Sequence, residues 1–247
     1  MSFSVLWSEG ANGLECGRLP PQTSRYGYRI LVHSEIAGEL HVKGLTGRAA
    51  HRARRVLHST FLGVSYEVRR RFHPDRPVRK RVQGVELAMP RAHRLPDYAA
   101  LYPGYGQNLV RVARTISRHD GNSMLQVVDI GANIGDSAIQ IGAQVDALVL
   151  CVEGDRYWVP FLQMNTESRA EIRIEECFLT ASPAQSSVEP VRSAGTTMFV
   201  PSEVSPSVRQ RTMDQLLRDH PEFDRVRLLK SDTDGHDTRL VPAAAEA

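Results

Sequence analysis

The sequence predicts an α/β fold in which helices cover a doubly wound, mainly parallel sheet. Two observations indicate this class. Short apolar runs typical of buried strands alternate with helical patterns throughout residues 106–247, as they do in parallel sheets with crossover helices. The first of these strands runs into a glycine turn that opens a helix, "VVDIGANIGDSAIQIG" from Val127 to Gly142. Units of this kind bind nucleotide-like ligands at the helix start.

The elements after residue 106 follow from their hydrophobic patterns. The first helix has Gly121 as its stop signal, and its apolar face is formed by Leu109, Val112, Ala113 and Ile116. Four strands are then predicted, over "LQVVDI", "ALVLCVEG", "EIRIEECFL" and "VRLLKSDTDG". Between them lie three helices, "GDSAIQIGAQV", "RYWVPFLQMNTES" and "VRQRTMDQLLRDH", and a polar hairpin or loop over Ala181 to Pro206. Such an order places strand four beside strand one.

Two segments precede this domain. Residues 1–45 show no sustained periodicity and are predicted to be a poorly ordered N-terminal extension. Residues 46–105 are predicted to be a lead-in made of a basic helix and a β-hairpin. Its helix covers "RAAHRARRVLHSTFLG", and its hairpin joins "YEVRRRF" and "VQGVELAMP" through the turn "HPDRP".

The net charge of +3 conceals a strong asymmetry. Residues 1–100 carry 17 Lys and Arg against 8 Asp and Glu, whereas residues 101–247 carry 14 against 20. The arginine-rich stretch from Arg48 to Arg81 could attract phosphates, an anionic membrane face or nucleic acid. We interpret it as a solvated surface, or a face docked on the acidic half. Nucleic acid is not the expected partner, because the arginine clusters themselves contain no aromatic residue for base stacking.

Composition excludes several other classes. The three cysteines, Cys16, Cys151 and Cys177, form no CxxC pair and two of them fall in apolar runs, which argues against a disulfide framework and a zinc site. The start of the chain lacks the early positive charge of a signal peptide. No apolar run approaches the ~18 residues of a membrane span. We expect a cytoplasmic protein without a bound metal.

The glycine turn and the end of strand two indicate the ligand. Gly131 and Gly135 flank the turn, and Glu153 is placed to accept hydrogen bonds from ribose hydroxyls. NAD and S-adenosylmethionine both fit so far. Asn133 occupies the place of the second glycine, which admits a pyrophosphate in dinucleotide-binding turns. The charge of Asp129 would repel a pyrophosphate and attract an ammonium or sulfonium group, so the residues favour S-adenosylmethionine.

A second cluster follows strand four in "LLKSDTDGHD". Asp232, Asp234, His236 and Asp237 would face the same crevice as the glycine turn. One interpretation is a solvated acidic turn. The other is an acceptor-side cluster that orients a hydroxyl and takes up its proton. His236 suits that base role because the ordinary pKa of an imidazole is ~6.5.

At these residues the sequence resembles the FkbM family of S-adenosylmethionine-dependent methyltransferases. The resemblance covers about residues 85–240 and rests on "ELAMPRAHRLPDYAALYPGYG", "VVDIGANIGDS", "CVEGD", the Asn of "FLQMN", "TMDQLL" and "LLKSDTDGHD". It implies a Rossmann-like sheet and O-methylation of a hydroxyl on a sugar, glycan or natural product, with no metal. It also implies that Glu153 holds the ribose and that the methionine end is lined by Asp129, Gly131, Asn133, Gly135 and Asp136.

The chain departs from this family in two respects. The family commonly has Glu at Asp234 and Asp237, so the shorter side chains shift the contacts. Its sheet continues through strands five to seven, whereas this chain stops soon after strand four. We therefore expect a C-terminally short domain whose fourth strand is an open edge, with a tendency to self-associate. Two alternatives remain: a non-catalytic remnant that binds cofactor or a partner protein, and an RNA methyltransferase.

Overall fold

The computed structural model describes residues 4–7, 48–121, 123–182, 187–193, 195–202, 208–233 and 236–245. The chain divides into two compact units. One comprises residues 1–31 and 106–247 and contains the parallel sheet, and the other comprises residues 32–105. Each unit is described by itself.

The elements run in chain order as follows: β1 (Ser4–Trp7), α1 (Arg48–Arg71), β2 (Pro77–Val82), β3 (Val85–Pro90), α2 (Leu95–Leu101), α3 (Gln107–His119), β4 (Leu125–Ile130), α4 (Asp136–Gly142), β5 (Ala147–Glu153), α5 (Val159–Thr166), β6 (Ile172–Glu176), β7 (Phe178–Leu179), β8 (Ser187–Ser193), β9 (Thr196–Ser202), β10 (Gln210–Arg211), α6 (Met213–Asp219), β11 (Val226–Ser231) and α7 (Asp237–Ala245).

The main sheet has five strands in the order β1-β11-β4-β5-β6. The strands β11, β4, β5 and β6 are parallel, with β11 beside β4 as the sequence predicts for strands four and one. Helices lie between successive parallel strands. The prediction of a Rossmann-like α/β fold is therefore confirmed.

The prediction that strand four, which is β11, forms an open edge of the sheet is wrong. Strand β1 pairs antiparallel with β11, with Val5 opposite Lys230 and Leu6 opposite Leu229. The faces of β11 are also covered, because Leu228 and Leu229 are buried. A short strand from the start of the chain thus covers this edge of β11. Residues 4–7 belong to the segment predicted to be poorly ordered, and residues 8–45 lie outside the described part of the chain.

The lead-in segment has a longer helix and a later hairpin than predicted. "YEVRRRF" is not a strand, because α1 continues through it to Arg71. The hairpin instead joins β2 to β3 through Gln83 and Gly84, whose φ angles are +49° and +90°. Positive φ at both central residues is typical of the two-residue turn that matches the twist of a hairpin. The predicted turn "HPDRP" leads into β2, whereas the turn of the hairpin lies after it.

Helix α3 follows its predicted pattern with one shift. Ala113 and Ile116 are buried, as expected, but Val110 is more buried than Leu109 or Val112. The opposite face of α3 is exposed and carries Arg111, Arg114 and Arg118. Gly121 adopts a φ of +68° just beyond the helix, as its predicted role as a stop signal requires.

The core of this unit lies on both faces of the parallel strands. One cluster joins β4, β5 and β11 to α6 and α7 through Val128, Leu150, Leu229, Leu216 and Leu240. A smaller cluster of Phe178, Val188 and Val208 forms at the β8–β9 hairpin, with Phe199 packed against it. The main cluster fixes the strand ends, and the smaller one holds the hairpin near them.

Candidate functional site

The candidate site lies at the carboxyl ends of β4, β5 and β11. Open α/β sheets bind their ligands at this edge because crevices form beyond the strand ends. In the sheet register, Asp129 on β4 lies between Cys151 on β5 and Lys230 on β11. Glu153 ends β5, and Asp232 directly follows β11. The structure therefore brings Asp129, Glu153 and Asp232 to one edge, as the sequence predicts.

Packing against neighbouring segments explains both glycines of the turn. Gly131 has a φ of +72°, and a Cβ there would collide with the carbonyl oxygen of Asp232. Gly135 has a φ of +83°, and a Cβ there would lie 2.7 Å from Leu162 Cδ1. The turn is further fixed by the backbone N–H groups of Gly131 and Ala132, which both donate to the Val152 carbonyl. A larger residue at Gly131 would displace the turn from the backbone of Asp232, and one at Gly135 would push the Leu162 side chain aside.

Asp129 forms a buried ion pair that the sequence analysis missed. Lys230 Nζ lies 2.8 Å from Asp129 Oδ1, and both side chains are almost fully buried. Burial opposes the charge of Lys230, but the neighbouring Asp129 and Asp232 outweigh it and raise the lysine pKa. Lys230 also donates to the Gly131 carbonyl, at 3.1 Å. The signal available in the sequence was a lysine directly after the apolar pair Leu228 and Leu229, near the end of a strand.

The second oxygen of Asp129 stays unsatisfied. Asp129 Oδ2 is buried and has no hydrogen-bond partner among the described residues. A buried carboxylate oxygen without a donor is costly. Lys230 compensates part of the negative charge of Asp129, which the sequence predicted a cationic ligand would meet. Oδ2 remains as a hydrogen-bond acceptor at the turn.

Asp136 lies in the first turn of α4, near the same pair. Burial raises the pKa of its carboxyl to about 6, and repulsion from Asp129 acts in the same direction, whereas Lys230 opposes both. Two carboxylates and one ammonium thus share this part of the edge. Asp136 thus lies close to Asp129 and Lys230, and its place at the methionine end of a cofactor stays a prediction.

Glu153 ties two loops together. Its carboxylate accepts a hydrogen bond from the backbone N–H of Asn133 and another from that of Asp155, each 2.7 Å long. Burial raises its pKa to about 7 despite these two bonds. Each oxygen keeps a second lone pair, so Glu153 can still accept a bond from a ribose hydroxyl. That ribose contact stays a prediction.

A buried aspartate fastens the β8–β9 hairpin to this edge. Asp155 accepts two hydrogen bonds from Arg192, of 2.6 and 2.9 Å, and one of 2.7 Å from the Thr197 hydroxyl. Thr197 in turn accepts from the Trp158 indole N–H. Burial would raise the pKa of Asp155, but the bonds from Arg192 and Thr197 hold it below its ordinary value. No local pattern in the sequence reveals this cluster, because Arg192 and Thr197 lie in a polar hairpin about 40 residues after Asp155.

The same hairpin reaches two predicted site residues. Asn133 has a φ of +52°, and its side-chain amide donates to the Gly195 carbonyl at 3.1 Å. His236 Nε2 lies 3.2 Å from the Phe199 carbonyl oxygen, and its ring contacts Phe178 edge-on, with the centroids 5.1 Å apart. A hydrogen bond to a carbonyl requires a proton on Nε2, so Nδ1 is the nitrogen of His236 that can accept one.

The remaining acidic residues after β11 separate into two kinds. Asp232 is half-buried, and its N–H donates to the Ile130 carbonyl. Asp237 is buried and accepts hydrogen bonds from the Ser231 hydroxyl and from the hydroxyl and N–H of Thr233. Asp237 thus stabilises the loop that leads from β11 into α7, and its carboxylate is occupied by these hydrogen bonds. Asp234 lies outside the described residues.

The described residues contain neither a candidate metal site nor an exposed thiol. No group of three or more His, Cys, Asp or Glu residues there is arranged to hold a metal ion. Cys151 and Cys177 are buried free thiols, and burial raises the pKa of both, that of Cys177 to about 12. Among the same residues, no helix has the length and apolar character needed to cross a bilayer.

Comparisons with known proteins give partial likenesses. No family model matches the chain, and no curated protein matches it. Among solved structures it is similar to a protein named as a transferase from Pyrococcus horikoshii, at 19% identity and a TM-score of 0.34 over 41% of this chain and 36% of that one. It is also similar to a SAM-dependent methyltransferase from Agrobacterium tumefaciens, at 16% identity and a TM-score of 0.31 over 40% of this chain and 31% of that one.

A third structure is from Methanococcus maripaludis and is named as an S-adenosyl-L-methionine-dependent methyltransferase. Its identity is 16% and its TM-score 0.25, over 32% of this chain and 36% of that one. The chain therefore spans about a third of the length of each of these three proteins. The chemistry of the site has to be inferred from the residues at its own sheet edge.

Proposed function

We propose that the carboxyl edge of this sheet binds S-adenosylmethionine and that the chain is an S-adenosylmethionine-dependent methyltransferase of the FkbM type. The observation that carries the proposal is Asp129 Oδ2, a buried carboxylate oxygen beside a glycine turn that finds no hydrogen-bond donor in the described part of the chain. The ammonium group of the cofactor's methionine end is a donor of matching charge.

The residues of the edge fit the two ends of this cofactor. Asp129 and Asp136 provide negative charge at the turn, where the methionine ammonium would lie, and Gly131, Asn133 and Gly135 shape the backbone around it. Glu153 at the end of β5 would accept from the ribose hydroxyls through its remaining lone pairs. A dinucleotide fits less well, because its pyrophosphate would meet these carboxylates and the side chain of Asn133.

The bound cofactor supplies an activated methyl group. The chain's own residues would then orient the acceptor hydroxyl and take its proton. His236 is the base that the geometry favours, because its Nε2 is held at the Phe199 carbonyl and its Nδ1 is left to accept a proton. Asp232 would orient the hydroxyl, with Asp234 assisting. We propose a sugar, glycan or natural-product hydroxyl as the acceptor.

Calorimetric titration with S-adenosylhomocysteine tests the cofactor. We expect binding of S-adenosylhomocysteine and none of NAD. Glu153→Ala should weaken the binding by roughly 1.5–3 kcal/mol, because charge-assisted hydrogen bonds to the ribose are lost. Asp146→Asn is the matched control, since Asp146 is an exposed carboxylate at the opposite end of β5. Tight NAD binding without S-adenosylhomocysteine binding would refute the assignment.

One observation favours a second candidate, a chain that binds cofactor without turnover. Lys230 compensates much of the charge of Asp129, and backbone N–H groups already occupy Glu153, so both carboxylates serve the scaffold. A panel of sugar hydroxyl acceptors separates the candidates. Methyl transfer that His236→Ala lowers by about 10²- to 10⁴-fold, the usual contribution of a general base, supports the enzyme. Cofactor binding with no transfer to any acceptor supports the binding module.

A further inference from the structure

Helix α1 carries an apolar stripe that faces outward. It comprises Phe61, Val64 and Val68 of the helix and Phe72, which directly follows its last residue, and their exposed fractions are 70, 61, 47 and 60%. The Phe72 N–H donates to the Val68 carbonyl, so the helical spacing continues to Phe72. Steps of three and four residues place them on one face of the helix. Surface apolar residues are normally scattered singly, and a contiguous row of them marks an interaction surface.

The other side of α1 is anchored in its own unit, which fixes the stripe outward. Arg69 forms an ion pair with Asp97 of α2 at 2.5 Å, and the two side chains are 10 and 4% exposed. The Arg94 guanidinium lies over the ring of Tyr66, 4.9 Å from its centroid. These contacts hold the side of the helix that carries Tyr66 and Arg69 against its own unit and leave the apolar stripe exposed.

The charge of α1 selects the class of partner. The helix contains seven arginines and a single acidic residue, Glu67. Glu67 is already paired with Arg70, at 2.9 Å. Arg71, in the last turn, is exposed beside the stripe. A partner must therefore offer both apolar contact and negative charge.

We propose that α1 docks on the surface of an anionic phospholipid membrane. A basic helix with a row of Phe and Val lies in the headgroup region, where its apolar side chains reach the acyl boundary and its arginines meet lipid phosphates. A second copy of this chain is a poorer occupant, since it would bring two arginine-rich helices together. A groove that wraps a helix on all sides is excluded by the anchoring of Arg69 and Tyr66. The proposal is independent of methyl transfer.

Co-sedimentation of the full chain with vesicles tests this docking. We expect binding to vesicles of phosphatidylcholine mixed with phosphatidylglycerol and little binding to phosphatidylcholine alone. Added salt should weaken the binding, because screening shortens the reach of the arginines. Equal binding to both kinds of vesicle, or binding to neither, would overturn the proposal.

Two variants separate the apolar and the electrostatic contributions. The double variant Phe61→Ser/Phe72→Ser should weaken vesicle binding by about tenfold or more, since two phenylalanine side chains no longer enter the interface. Arg71→Gln should weaken it by about fivefold, the usual effect of one basic residue at an anionic surface. Met124→Ser is the matched control: Met124 is also a large exposed apolar residue, at 55%, but belongs to the other unit. It should leave vesicle binding unchanged.

Light scattering without lipid tests the rival occupant. Under the proposal, the wild-type chain and the Phe61→Ser/Phe72→Ser variant have the same molar mass. A wild-type dimer that this variant dissociates, together with absent vesicle binding, would assign the stripe to a second copy and overturn the proposal. Circular dichroism of each variant confirms that α1 is still folded.

Discussion

The carboxyl edge of the parallel sheet and the β2–β3 hairpin use charged residues in opposite ways. At the sheet edge, Asp129 and Lys230 are almost fully buried and lie 2.8 Å apart. On the hairpin, Arg79 and Glu86 lie 3.6 Å apart with about 60% of each side chain exposed. Water solvates both charges of the hairpin pair. At the sheet edge, each buried charge is stabilised mainly by the opposite charge of its partner. Loss of one charge should therefore matter at the edge and not on the hairpin.

Lys230→Met gives the largest expected effect. It leaves the buried carboxylate of Asp129 without its counter-ion, and breaking a buried pair in this way costs about 3–5 kcal/mol of unfolding free energy. Urea unfolding measures the loss. Asp129→Asn added to Lys230→Met should restore part of the stability, because the uncompensated charge is removed. A single variant as stable as the wild type would contradict the role of burial.

Asp155→Ala comes next. It removes an acceptor shared by Arg192, Thr197 and the Tyr157 N–H, and we expect a loss of about 2–3 kcal/mol. Half of the Arg192 side chain is solvated, which limits the cost. Limited proteolysis should show faster cleavage in the β8–β9 hairpin. Unchanged cleavage would mean that the small cluster around Phe178 holds the hairpin without Asp155.

The pH dependence of stability tests Glu153. Its pKa is about 7 in the folded chain against an ordinary 4.5, so between these values the folded state binds more protons than the unfolded state. Its stabilising contribution is therefore present below pH 4.5 and is lost as the pH rises to 7, by up to about 1.4 kcal/mol per pH unit. Asp136, with a pKa of about 6, acts in the same direction.

Unfolding midpoints measured across this pH range provide the test. The stability of the wild type should fall as the pH rises from 5 to 7. Glu153→Gln should show a flatter dependence, because a neutral amide at this position does not titrate. Equal slopes for the wild type and Glu153→Gln would contradict the raised pKa of Glu153.

Glu86→Gln gives the smallest expected effect and completes the comparison. Exposed ion pairs contribute little, so we expect a change within about 0.5 kcal/mol. The same urea titration that measures Lys230→Met serves here. A loss comparable to that of Lys230→Met would show that exposure does not distinguish the two regions.

Local patterns in the sequence were sufficient for much of the sheet. The bounds of β4 were predicted without error, and the neighbours β4 and β11 followed from the general order of such folds. Asp129, Glu153 and Asp232 were placed at one edge because parallel strands end on the same side. Hydrophobic periodicity and strand order carry this information within short segments.

Pairing between distant segments could not be predicted in the same way. The partner of Asp129 is Lys230, far along the chain, and it is set by the register of two strands. The β1 strand pairs with β11 across nearly the whole sequence, and its four residues carry too short a pattern to reveal a partner. The Asp155 cluster depends on how a polar hairpin folds back. These contacts arise from tertiary packing, which local propensity does not encode.

The bond between the Trp158 indole and Thr197 gives the protein an internal optical probe. Trp158 is 3% exposed and donates to the Thr197 hydroxyl on β9 at 2.7 Å, and the chain contains one other tryptophan, Trp7. Indole emission moves to longer wavelength when the ring meets water. In a Trp7→Phe variant, fluorescence would thus follow the β8–β9 hairpin alone, and its opening and closing could be timed without an attached dye.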